Sequence, residues 1–271
     1  MGVVSNAMVF VDTRIKSNGL YKQATENLLK HTTVYEDAGS IEIDCVNMTK
    51  PDMNVEVILG GTVSTAYSLV DDNRIVAMLD FADAKRPGGW VKEGAPTQEE
   101  NMCRCTNLYE TLVQEKCLKD YYDFNFERGV SDCENHYDEP YTDALIYAEG
   151  VTIFKDDTTY KEVPPKQVDV IVSPAPCGRC DGLEDILRHR MEGIVMAAYV
   201  HGVTHLVLGA WGCGAFMQNP KVVAKCFADV LKKFPVFESV IFAIRPTIVD
   251  GKMIKDKTFT AFEKQFRKQL F

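Results

Sequence analysis

Two adjacent carboxylates, Glu99 and Glu100, stand where a glycine-containing loop, KRPGGWVKEGAPT, gives way to the helical pattern NMCRCTNLYETL. A carboxyl group at the rim of a glycine-lined pocket suits general acid–base chemistry, giving a proton to a leaving oxygen and taking one from water. Consecutive helical residues diverge by about 100°. The pair therefore does not flank a sugar from opposite faces as a two-carboxylate glycosidase requires. One acid/base and one positioning group is the division of labour it allows. Glu100 also has a purely structural reading, because Thr97-Gln98-Glu99-Glu100 fits the T-x-x-E capping box, in which the glutamate reaches back to the cap residue's N–H. Local pattern does not separate the two readings.

The elements around this pair give the catalytic reading its context. The apolar run IVAMLDFADA from Ile75 reads as a buried strand that delivers the loop to the helix N-terminus. Backbone N–H groups and the positive helix end then share one small volume suited to an anionic ligand. Gly88 and Gly89 permit close backbone approach, and Pro87 restricts the loop. A second unit of the same kind follows the strand from Thr204 to Leu208, where the chain opens into GAWGCGAF (209–216) before the N-cap and first-turn pair Asn219 and Pro220. The glycines there match neither the dinucleotide fingerprint nor a P-loop. Two such loops at the carboxyl ends of strands in one sheet face each other across a crevice, where ligands of open α/β sheets bind. Paired N–H-rich loops suit a diphosphate, and Phe216 and Trp90 stand where they can contact a sugar or base.

The rest of the chain supplies an α/β frame. Helical spacing runs from Asn18 to His31 and strand patterns cover Ile41 to Val46 and Val55 to Leu59. Thr62 or Ser64 is expected to cap a helix through Ala66, Leu69 and Val70. Strands follow at Val151 to Phe154, Val168 to Val172 and Val240 to Ile244, with helices at Glu184 to Tyr199, from Asn219, and from Phe259 to Phe271. This alternation predicts an α/β sheet with helices on both faces. The stretch from Tyr121 to Tyr147, rich in Tyr, Asp, Glu and His, reads as a long surface excursion beside the pocket.

The chain has 271 residues, 46% hydrophobic and 25% charged, and reads as a single domain over 8–271 with residues 1–7 a flexible or tag-like start. No apolar run approaches the roughly 20 residues that span a bilayer, and MGVVSNAMVF lacks the basic and apolar regions of a leader. Nine scattered cysteines suit reduced thiols, so the expected location is intracellular, in the cytoplasm. Cys177-Gly-Arg-Cys180 is the one metal-like spacing, without a second ligand pair. The formal charge of −9 argues against a broad nucleic-acid surface. A polyanion remains admissible where backbone amides hold its phosphates.

The block PGGWVKEGAPTQEE resembles the glycine-run and QEE signature of poly(ADP-ribose) glycohydrolases, and LGAWGCGAF is similar to their second diphosphate loop. YTDALIYAEGVTIFKDD, VIVSPAP and the Arg14 to Leu29 helix resemble the compact microbial type. The resemblance implies a macrodomain-like three-layer α/β/α sandwich with a mixed, mostly parallel sheet. It implies hydrolysis of ribose–ribose O-glycosidic bonds in poly(ADP-ribose), releasing ADP-ribose without metal or cofactor. Carried over by position, Glu100 is the acid/base, Glu99 orients the ribose hydroxyls and Gln98 supports the loop. Gly88 and Gly89 line one side of the diphosphate, Gly212, Cys213, Gly214 and Ala215 the other, and Phe216 packs on the distal ribose. The family run has three glycines, and Trp90 stands at the third, at the expected mouth of the pocket. Removal of single ADP-ribose units from protein or nucleic acid, and ADP-ribose binding without cleavage, are the two alternative functions; the intact QEE argues against the second.

Overall fold

The computed structural model describes residues 5–41, 51–128, 141–177, 182–249 and 252–267. Two helices, α1 (Asn6–Asn18) and α2 (Lys22–Lys30), lead into edge strand β1 (Thr32–Tyr35). Then come β2 (Asn54–Leu59), α3 (Thr62–Leu69) and β3 (Val76–Phe81), followed by the short helices α4 (Gln98–Cys105), α5 (Leu108–Leu112), α6 (Glu115–Cys117) and α7 (Phe124–Arg128). The second half runs β4 (Leu145–Lys155), β5 (Glu162–Ser173), α8 (Leu183–Val200), β6 (His205–Leu208), α9 (Pro220–Lys233) and β7 (Ser239–Ile244). A small hairpin, β8 (Thr247–Val249) and β9 (Lys252–Ile254), precedes α10 (Lys257–Phe266).

Seven strands form one sheet in the order β1-β4-β5-β3-β6-β7-β2. The five from β5 to β2 run parallel, and β4 and β1 add an antiparallel edge. The expected mixed, mostly parallel sheet with helices on both faces is what the chain forms. Central β3 pairs with β5 on one side and β6 on the other, and its first five residues are buried. Both faces are covered, which is why it reads as an unbroken apolar run rather than an alternation. Ala77 and Leu79 join the core beneath α8, α9 and α10, while Val76 and Met78 join the opposite core against α1 to α5. With a period of two, the next residue on that second face is Asp80, a carboxylate in a fully buried position.

Several expectations need correction. The helix expected from Asn18 to His31 forms as α2 but starts only at Lys22, and it is preceded by α1, which begins at Asn6, with Ser5 accepting a hydrogen bond from the Met8 N–H, and ends before Gly19. Asn6 donates to the Gly94 carbonyl at 3.0 Å, so residues expected in a flexible start help anchor the first glycine loop. Gly61, not Thr62 or Ser64, caps α3. The segment after Gln98 is two helices broken at Thr106 and Asn107, and Glu99 to Cys105 are buried on every side, not only along one stripe. Tyr121 and Tyr122 are buried within a π-helical stretch, Leu118–Asp123, so the start of the expected surface excursion is core. Residues 42–46 of the expected strand, residues 129–140 of the excursion and Cys180 lie outside the described residues, and the end of the excursion, Leu145 to Tyr147, is buried in β4. No helix among the described residues is long and apolar enough to cross a membrane.

Trp211, in the loop after β6, is the largest fully buried side chain. Its ring packs near Phe227 of α9, and its Nε1–H donates to the Ser173 carbonyl at the end of β5, at 3.0 Å. That contact fastens the second glycine loop to a neighbouring strand. Replacing the indole by phenyl removes this bond and leaves the Ser173 carbonyl with only the longer one from the Ala82 N–H, at 3.3 Å; a hydrogen bond so lost costs about 0.5–1.5 kcal/mol. Trp211→Phe is therefore expected to lower the stability to denaturant by about that amount; an unchanged midpoint would show the contact to be dispensable.

Candidate active site

The carboxyl ends of β2, β3, β5, β6 and β7 surround one cavity of about 520 Å³. Gln98 sets the geometry where β3 hands over to α4. Its amide oxygen accepts from Phe81 N–H at 2.9 Å, and its nitrogen donates to the Leu79 carbonyl at 2.8 Å and to Thr62 Oγ1 at 3.3 Å. Strand end, helix start and the first turn of α3 are joined by one side chain. Glu99 adds a further tie, its Oε2 accepting from Asp83 N–H at 2.8 Å.

Glu100 does not make the capping box. Thr97 is the N-cap residue but forms no side-chain cap bond; its hydroxyl donates instead to Glu100 Oε2. The other carboxylate oxygen accepts from Trp90 N–H at 3.0 Å. Both bonds turn the side chain into the cavity wall. Gly89 makes this approach possible: its φ is +56°, and a Cβ there would lie 2.5 Å from Glu100 Oε1. Any side chain would push the carboxylate out of place.

Gly88 departs from expectation. It lies behind the wall, with φ +70°, where a Cβ would meet the Tyr109 ring at 2.8 Å. Gly89 N–H is committed to the Arg86 carbonyl, so the first loop spends its amides on itself and on Glu100. The loop is pinned by Asn6 at Gly94 and by Arg245, whose Nη1 donates to the Pro96 carbonyl at 3.2 Å.

The second loop keeps the anion-binding capacity. Cys213 N–H bonds the Ala210 carbonyl, and its half-buried thiol, pushed up to about 12 by desolvation, lines the cavity. The consecutive N–H groups of Gly214, Ala215 and Phe216 meet no acceptor among the described residues and border the cavity. A Cβ at Gly214 would point into open space, whereas at Gly212, with φ +74°, it would strike Gln218 at 2.9 Å. A row of unengaged backbone N–H groups is a concavity for phosphate oxygens. Phe216 is half-buried, near Tyr141.

The structure adds residues that the pattern did not single out. Asp157, buried at the end of β4, accepts from Ser64 N–H at 3.1 Å and from its hydroxyl at 3.2 Å, and borders the cavity beside Gly61. The Asp156-Asp157 pair closing the strand was the available signal. Asp80 lies beneath the glutamates with both carboxylate oxygens unpartnered, as is Glu99 Oε1. Burial, reinforced by Glu100, holds Asp80 well above the ordinary carboxylate range. Burial and then Asp80 do the same for Glu99, and burial raises Asp83. Glu99 Oε1 is thus a buried polar atom at the cavity wall awaiting a partner such as a sugar hydroxyl. Among the described residues one cluster could ligate a metal, Asp37, Asp143 and His189, but it lies away from the cavity and Arg190 already bonds Asp143 at 2.8 Å.

Asp80 gives the site a pH signature. An unfolded chain releases this proton near pH 4, while the folded protein holds it to higher pH, so the folded state loses stability as pH rises between the two values. Asp80→Asn removes that dependence. The variant is expected to gain on the parent from pH 4 to pH 8, by about 1.4 kcal/mol for each unit of displacement, or about 2–4 °C in Tm per kcal/mol. Melting curves at both pH values check this; a constant difference would show that Asp80 titrates normally.

Residues 9–156, more than half of the chain, match the family described as microbial-type PARG, catalytic domain. No curated protein matches the chain by sequence. Among solved structures the chain is similar to poly(ADP-ribose) glycohydrolase (PARG) from Thermomonospora curvata, at 27% identity and a TM-score of 0.80 over 96% of this chain and 99% of that one. The same Thermomonospora enzyme bound to the inhibitor ADP-HPD matches at 27% identity and 0.79, with the same coverage. PARG from Deinococcus radiodurans in complex with ADP-ribose matches at 30% identity and 0.73, over 89% of this chain and 96% of that one. The structural likeness extends past residue 156 to the second glycine loop, so both halves of the cavity fall within it. The chain belongs to the microbial-type PARG catalytic-domain family.

Proposed function

We propose that this protein hydrolyses the ribose–ribose O-glycosidic bonds of poly(ADP-ribose) and releases ADP-ribose, with Glu100 as the acid/base. Family membership supports the reaction class, and the turn of Glu100 into the cavity instead of onto its own helix end supports the assignment. Both glycine loops belong to strands of one sheet, which agrees with residues 8–271 acting as a single domain.

In this reading the amides of Gly214, Ala215 and Phe216 take the diphosphate, with Gly212 and Cys213 as the loop's wall. Phe216 packs on the distal ribose, and the ribose hydroxyls meet Glu99 Oε1. Gln98 holds the helix start and Gly89 leaves room for the acid. Protonated Glu100 gives its proton to the departing ribose oxygen as the C1–O bond breaks through an oxocarbenium-like state. The resulting carboxylate takes a proton from water as that water adds to C1, restoring the acid and completing the hydrolysis. The Trp90 N–H and the Thr97 hydroxyl bond the charged form and hold it in place between the two steps.

Glu100→Gln keeps size and polarity but cannot transfer the proton. It is expected to lower kcat on poly(ADP-ribose) by at least about two orders of magnitude, while calorimetric affinity for ADP-ribose stays within about threefold. Wild-type turnover in this variant would remove Glu100 from the mechanism.

A further inference from the structure

The loop that positions Glu100 also carries a feature that the hydrolysis does not use. Trp90 is half open to solvent, 49% exposed, although it borders the cavity and its own N–H bonds the acid/base. Its ring therefore stands within one side chain's reach of the reacting carboxylate. The Arg86 guanidinium lies over that ring, 3.8 Å from its centroid. The Asp83 carboxylate feels the Arg86 charge and accepts from the Arg86 backbone N–H at 3.0 Å. Exposing a tryptophan in water is unfavourable unless something covers it, and a stacked arginine covers one face only.

The charge around the pair is equally distinctive. In a chain of net charge −9, residues 85–92 carry Lys85, Arg86 and Lys92 and no acid. The stacked pair thus sets an aromatic ring and a cation beside the acid/base, whereas the cavity wall carries the acids Asp83, Glu99 and Glu100. A planar, electron-rich group attached to a polyanion matches that combination, and a neutral aliphatic or peptide leaving group does not.

Resting on the proposed hydrolysis, the chemistry of the bond says what arrives there. The oxygen protonated by Glu100 belongs to the adenosine ribose of the adjoining unit, so a purine and a diphosphate depart together. We propose that Trp90 and Arg86 form a leaving-group subsite that stacks the purine of that adenosine. The subsite favours chains over single ADP-ribose units, because an ADP-ribose attached to a protein side chain offers no purine at this position.

Base–aromatic stacking contributes about 5- to 150-fold in affinity per base. The test uses Glu100→Gln protein, which holds substrate without cutting it, and compares by calorimetry the affinities for the ADP-ribose dimer and for ADP-ribose. The dimer is expected to bind about tenfold tighter. Adding Trp90→Ala should bring the ratio close to one with monomer affinity unchanged, and adding Trp90→Phe should restore most of it. The chain has only two tryptophans and Trp211 is fully buried, so the dimer, unlike the monomer, should also quench the exposed Trp90 emission. Polymer hydrolysis by the unmodified protein is measured alongside. If it cuts polymer and Trp90→Ala leaves the ratio unchanged, the subsite is overturned and the hydrolytic reading stands. If it cuts no polymer, the hydrolytic reading fails first and the subsite with it.

Discussion

A carboxylate on the first turn of a helix normally satisfies that helix's own N–H groups. Here two donors outside the helical backbone pattern, the Trp90 N–H and the Thr97 hydroxyl, take both oxygens of Glu100 and turn it the other way. The loop before α4 is shaped around this exchange. It needs a residue without Cβ at Gly89, a fixed start for α4, and anchors on either side at Gly94 and Pro96. Gln98 supplies the fixed start by bonding the end of β3 with both ends of its amide, so strand and acid/base move as one body.

That arrangement carries an electrostatic cost. Asp80, Asp83, Glu99 and Glu100 crowd one end of the central strand, and burial there disfavours the charged forms of Asp80, Asp83 and Glu99. Among the described residues Asp80 has no hydrogen-bond partner, and Glu99 has one only at Oε2. A fold selected for stability alone would not place them so. Clustering of acids whose proton affinities are pushed upward is expected where a site moves protons at neutral pH. The sheet compensates with two extensive cores on its faces, and the second loop leaves the backbone N–H groups of Gly214, Ala215 and Phe216 unengaged at the cavity.

Much of this was legible in the residues themselves. The buried strand from Ile75, the strand–glycine loop–helix units and the Asn219-Pro220 helix start appear because their signals are local: apolar runs, glycines and a cap. Gln98, Glu99, Glu100, Gly89 and the 212–216 loop converge on one cavity as expected. Contacts across sequence distance were not legible. Nothing local says that Gly88 faces Tyr109, that Asp157 meets Ser64, or that Thr97 donates to Glu100 instead of capping. The full burial of α4 was not legible for a related reason, since a helix enclosed by α1, α3 and β4 buries its polar side as well. The burial of Asp80 was not legible either, because a lone acid at the end of an apolar run ordinarily marks where a strand reaches solvent.

The account as a whole turns on where the reacting sugar carbon sits. A crystal structure of this protein with ADP-ribose measures that directly. It should place the distal ribose C1 so that the departing oxygen position lies about 3–3.5 Å from the Glu100 carboxyl, with the diphosphate on the Gly214, Ala215 and Phe216 amides. Should the ribose lie elsewhere, or Glu100 swing back onto the Thr97 N–H in the complex, the assignment of this carboxylate as the acid/base would be contradicted.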